Sequence, residues 1–149
     1  MTTPLASRPP VASRLERMAR AVERAGRRVP GLRAMLLSPV VARPGYWFAT
    51  VCGWIWGAAL MLGPVSRRGG VVVCEQLPTW SFGRGGTTIG AVYLTDRNTS
   101  DAVLEHEAVH REQWRRYGLA FIVLYVAAGS EAHTNRFEIE AGLKKGGYR

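Results

Sequence analysis

"LEHEAVHREQW", residues 104–114, decides how the rest of the chain is read. It holds two of the three histidines, His106 and His110, with Glu107 directly after the first. On an α-helix, residues four apart lie about 40° apart around the axis and one turn along it. The two imidazoles then share a face at a spacing that lets both reach one metal ion. Glu107 points about 100° away from His106, close enough to handle a proton without ligating. Two ligands and a general base are what the HExxH pattern supplies mechanically.

The flanks support a helix. Thr99 or Ser100 can cap its start, Asp101 suits the positive end of the dipole, and Gly118 can end it after Tyr117. Val103, Gln113 and Tyr117 extend the histidine face, so that face is expected to look inward. Upstream, "GGVVVCEQLP" reads as a short β-branched strand and "TTIGAVYLT", Thr87 to Thr95, as a second, with "SFGRGG" as turn chemistry between them. A hairpin or small antiparallel sheet is the expected result. "GRGGTTIG" is no phosphate loop, since it lacks the Lys followed by Ser or Thr that the Walker pattern requires. Downstream, "LAFIVLYVAAG" predicts an apolar helix too short to span a bilayer, and "RFEIEAGLKK" a last short helix.

A catalytic metal needs a third protein ligand and an open position. A histidine as in HExxHxxGxxH is excluded, because Gln113 and Arg116 stand where Gly and His belong. Glu131, His133, Glu138 and Glu140 remain.

The first 65 residues have another character. Residues 1–45 carry nine arginines against Glu16 and Glu23, while residues 66–149 carry only two more basic than acidic groups; the net charge of +9 is mostly N-terminal. "MTTPLASRPP" reads as a flexible start. Val11, Leu15, Met18, Val22 and Ala25 then follow helical spacing with Arg on the other faces, which predicts a basic amphipathic helix that packs on the domain or lies on a membrane. Residues 46–65, "YWFATVCGWIWGAALMLGPV", carry no charge and are as long as a bilayer requires, with a GxxxG at Gly53 and Gly57. A buried core segment explains the same composition. Cys52 and Cys74 are too few for a four-cysteine iron–sulfur cluster and show no CxxC spacing. The N-terminus lacks the apolar core of a secretory signal, so reduced thiols in the cytoplasm are expected, with association to the cytoplasmic membrane through residues 1–65.

From Thr87 to Tyr148 the chain resembles a minimal gluzincin-type zinc metallopeptidase: strand "TTIGAVYL", helix "HEAVHREQW", an apolar helix and "NRFEIEAG" follow that order, and Gln113 fits the HExxHxxQ version found in small bacterial proteins of this kind. The resemblance implies an α+β, zincin-like domain over 66–149 behind a basic arm (1–45) and the apolar segment (46–65). It implies Zn2+ held by His106, His110 and Glu138, the last by the likeness of its ExxA to a second-helix motif, with Glu140 the runner-up. Glu107 would activate water, the strand at 87–95 would pair with an extended peptide substrate, and Tyr117, His133 or Tyr148 would serve the oxyanion, with Gln113 as support. One departure stands out: Gly142 occupies the place of an Asp that commonly orients a histidine. A non-catalytic metal-binding module and a membrane-associated basic protein are the competing readings; nucleic acid is the weaker partner.

Overall fold

Gly69 and Gly70, at φ +57° and +86°, make the two-residue turn between strands β1 (Val65–Arg68) and β2 (Val71–Cys74). Positive φ at both turn positions is what a tight hairpin with right-twisted strands asks for. A second two-residue turn, led by Gly90 at φ +62°, joins β3 (Thr87–Ile89) to β4 (Val92–Leu94). The computed structural model describes residues 12–148; "MTTPLASRPP" and Val11 lie outside the described residues.

The four strands form one sheet in the order β1-β2-β4-β3. Both hairpins are antiparallel, but β2 and β4 run parallel, with Val72 opposite Val92 and Cys74 opposite Leu94. This corrects the expected antiparallel sheet. "VVVC" does not pair with "TTIGAVYLT" as a hairpin. Each run has its own hairpin partner, and a connection through a 3-10 turn at Thr79–Ser81 carries the chain to the far edge before β4 returns to the centre. "TTIGAVYLT" is itself two strands, because Gly90 turns the chain. The strand "VSRR" escaped the sequence reading, having no apolar alternation; it is an exposed edge.

Six α-helices are described: α1 (Arg14–Arg28), α2 (Leu32–Leu36), α3 (Pro39–Leu60), α4 (Asp101–Tyr117), α5 (Ala120–Ala128) and α6 (Arg136–Ala141). The whole is a mixed α+β fold. The central strands are covered on both faces, which accounts for the unbroken apolar runs. Val71, Val73 and Tyr93 cluster with Val103 and Leu104 of α4, while Cys74, Val92 and Leu94 cluster with Leu60 at the end of α3.

α3 corrects the reading of residues 46–65. The helix begins earlier, at Pro39, takes in Arg43, and stops at Leu60. No helix among the described residues is long and apolar enough to cross a membrane. The GxxxG glycines let α3 lie close on the sheet: a Cβ at Gly53 would come 2.9 Å from the Ile89 carbonyl oxygen, and one at Gly57 2.8 Å from Cys74 Sγ. Cys52 and Cys74 are both free thiols, the first exposed and the second buried.

α1 docks by an unexpected face. A capping box of Ser13 and Glu16 starts it. Glu16 and Ala19 are buried against α5, while Leu15, Met18 and Val22, the predicted apolar stripe, are exposed. Polar anchors explain the inversion: Glu16 Oε1 accepts from the Ser130 amide at 2.8 Å, and Arg20 Nε donates to the Ala127 carbonyl at 3.0 Å. These satisfy free groups at the C-terminal end of α5.

Candidate metal centre

Ser100 caps α4, accepting from the Val103 amide, and Gly118 at φ +54° ends it, so the HExxH helix keeps the bounds its residues suggest. Val103, Leu104, His106, Glu107, His110, Gln113 and Trp114 are buried along it. Trp114 Nε1 donates to the Thr88 carbonyl at 2.9 Å, which ties α4 to the edge strand β3. α6 brings the third residue. Asn135 caps it, accepting from the Phe137 amide, and donates to the carbonyls of Gly129 and Tyr125, which fixes α6 to α5. Glu138 is thereby carried under the two imidazoles.

Ligand atoms of His106, His110 and Glu138 all lie within 4.8 Å of one another, and all three residues are buried. The Nε2 atoms are 3.0 Å apart. Glu138 Oε2 lies 3.2 Å from His106 Nε2, and Oε1 3.6 Å from His110 Nε2. The other side of each ring decides what these atoms carry. His106 Nδ1 faces the Gly142 carbonyl at 3.1 Å, and His110 Nδ1 faces Gln113 Oε1 at 2.8 Å. The Gln113 amide is oriented by its NH2, which donates to the Phe137 carbonyl and to Glu140 Oε2. Its oxygen must therefore face His110. Both rings then hold their proton on Nδ1, and both Nε2 lone pairs point at each other and at a carboxylate. Three acceptors converge, and Glu138 Oε2 is buried with no hydrogen-bond partner. Such a set is stable only around a shared positive charge, a proton or a metal cation. The donor set, two neutral imidazoles and one carboxylate with their outer atoms hydrogen-bonded, fits a divalent metal ion.

Burial pushes the Glu138 carboxyl upward, but a proton shared with the facing imidazoles of His106 and His110, together with the hydrogen bond from Tyr125, outweighs it and holds the group well below the usual carboxylate range. His110 moves the other way: burial disfavours its charged form, yet Glu138 and Glu107 raise it above an ordinary histidine. Glu107 accepts from Thr88 Oγ1 at 2.7 Å, and burial raises its carboxyl above the ordinary range. A carboxyl so placed is suited to taking up and releasing a proton.

A cavity of about 510 Å³ opens in front of these residues. One wall is β3, another the apolar side of α5 with Phe121, Ile122 and Tyr125, and the C-terminal segment closes a third through Gly146 and Tyr148. Tyr148 lies with its ring 6.1 Å from that of His106, and burial pushes its hydroxyl up to about 12.

The other sequence candidates fall as follows. Gln113 braces His110. Glu140 holds Gln113 and so acts one step back from the three convergent residues. Gly142, where the resemblance leads one to expect Asp, offers its main-chain carbonyl to His106 instead. Its φ of +93° turns that carbonyl inward. Tyr117 stacks on Phe121 and meets Phe137 edge-on in the aromatic core, and is not among the residues that line the cavity. His133 is exposed and paired with Glu131, also away from the lining. Neither is placed to serve an oxyanion there. Tyr125, Thr88 and Asn135 were missed. Tyr125 donates to Glu138 Oε1, and its only signal was a lone hydroxyl in an otherwise apolar run.

No protein-family model matches the chain, and neither the curated proteins nor the solved structures compared with it give a match.

Proposed function

We propose that the chain is a zinc-dependent metallopeptidase of the gluzincin type, hydrolysing peptide bonds with Glu107 as general base. One observation carries the reading: three buried acceptors converge with their outer atoms already engaged, beside a second carboxyl, that of Glu107, held by Thr88. His106, His110 and Glu138 would hold the ion. Zn2+ bound there supplies a Lewis acid that acidifies water and polarises a carbonyl.

The remaining steps belong to the chain's own residues. Glu107, kept in place by Thr88 Oγ1, takes the proton of the attacking water on its carboxylate and passes it to the leaving amine. Gln113 and the Gly142 carbonyl keep both rings in the tautomer that leaves Nε2 free. Tyr148, on the cavity wall, would offer its hydroxyl to the developing oxyanion. An extended peptide would find an edge in β3, one of the two outer strands, whose three residues line the cavity. Trp114 already occupies the Thr88 carbonyl, so pairing would use the neighbouring backbone groups.

The test is Glu107→Gln, assayed on an unfolded protein substrate with metal content measured in parallel. The reading expects retained zinc and abolished hydrolysis. Full activity in the variant removes Glu107 from the mechanism, and zinc with no hydrolysis by the wild type selects a non-catalytic metal-binding module.

A further inference from the structure

α3 is apolar around its circumference, yet it is packed on one side only. Ala42, Tyr46, Ala49, Gly53 and Gly57 are buried against the rest of the fold. On the opposite side Trp47, Phe48, Val51 and Ile55 are 55–66% exposed, with Trp54 and Trp56 beside them. A helix that is apolar all round is normally covered all round, and a contiguous exposed patch of this kind marks a binding surface.

Charge, residue type and shape together choose the occupant. Residues 24–74 contain seven arginines and no acidic residue. Arg43 is exposed on α3 itself, and Arg67 and Arg111 line a groove with Trp47, Trp54 and Ile55. An apolar face edged by arginines complements a layer of anionic headgroups over hydrocarbon. Tryptophan is the side chain that prefers such an interface. The small residues that would let a second helix approach closely, Gly53 and Gly57, are turned to the sheet, so the outward face is bulky. α1 repeats the pattern, with exposed Leu15, Met18 and Val22 on a helix rich in arginine.

We propose that the outer face of α3 docks on an anionic phospholipid bilayer, lying parallel to it. Trp47, Phe48, Val51 and Ile55 enter the headgroup boundary, and Arg43 and Arg67 meet lipid phosphates. The attachment is peripheral, and it is independent of the metal centre.

The full chain is tested by co-sedimentation with vesicles of phosphatidylglycerol and phosphatidylcholine, beside vesicles of phosphatidylcholine alone. Tryptophan emission is followed in the same samples. Wild type is expected to bind the anionic vesicles, with a blue-shifted emission, and to bind them less at high salt. The double variant Val51→Glu, Ile55→Glu should lose roughly tenfold or more of that binding, since attachment scales with buried apolar area. Both positions are exposed, so its unfolding midpoint and zinc content should match wild type. Failure of wild type to bind anionic vesicles overturns the proposal. Undiminished binding of the double variant overturns it too, and moves the contact to α1. A wild-type dimer that the double variant makes monomeric, without vesicle binding, assigns the face to a second copy of the chain.

Discussion

Gln113→Leu removes the brace behind His110 while keeping the side-chain volume nearly unchanged. Three bonds are lost: the acceptor for His110 Nδ1–H at 2.8 Å, the donor to the Phe137 carbonyl at 3.1 Å and the donor to Glu140 at 2.9 Å. Glu140 can turn to water and the Phe137 carbonyl keeps its bond within α6, but the His110 Nδ1–H is buried and left without a partner. One unsatisfied buried group costs about 1–3 kcal/mol, and the metal-free fold should be destabilised by about that much. The metal is affected separately. A histidine without its outer hydrogen bond is less basic and less fixed in tautomer, a loss typically worth about 10–100-fold in affinity. Urea unfolding of the metal-free chain reads the first quantity, and zinc competition against a chromophoric chelator reads the second. If Gln113 only filled space, leucine would leave stability unchanged or raise it and would not alter zinc affinity. That pair of results would refute the tautomer assignment on which the site rests.

Gly118→Ala tests the seam between α3 and α4. The residue sits at φ +54°, and a Cβ would come 2.6 Å from the Ala42 carbonyl oxygen. Backbone strain of about 1–2 kcal/mol, with overpacking of about 1–3 kcal/mol, predicts a large fall in the urea midpoint; a change under about 0.5 kcal/mol would argue against this contact. Glu16 gives the pH dependence. Hydrogen bonds from Ser130 and then Ser13, with the charge of Arg20, hold its carboxyl below its ordinary value of 4.5. A group depressed in the folded state stabilises above its unfolded value, and that stability is lost as pH falls through the folded value. Thermal unfolding should therefore show wild type above Glu16→Gln near neutral pH, with the gap closing below about 4.5. A gap that widens in acid would mean that α1 is not anchored through this carboxylate.

The part of the site that could be read from residues is the part written in helical spacing. His106, Glu107, His110 and Gln113 lie on one helix, and periodicity alone fixes how they stand to one another. Glu138 was chosen by likeness rather than by periodicity, and the structure places it under the rings because Asn135 ties α6 to α5. Tyr125 and Thr88 carry no local signal, since a hydroxyl in an apolar run acquires meaning only from what packs against it. The α+β character was legible, whereas the parallel pairing of β2 with β4 was not. It depends on a connection that leaves the sheet and returns, and no nearest-neighbour pattern records that. The face by which α1 docks was not legible, because it is set by a carboxylate bonded to Ser130 while the apolar stripe, whose covering by the domain or by a membrane the periodicity leaves open, stays exposed.

Elemental analysis of the purified chain, after loading with zinc and removal of excess, tests the central claim most directly when wild type is set beside His106→Ala and Glu138→Ala. Convergence of two imidazoles and one carboxylate on a common ion predicts stoichiometric zinc in wild type and its loss from both variants. Metal retained in Glu138→Ala, or a wild type that holds none, would contradict it.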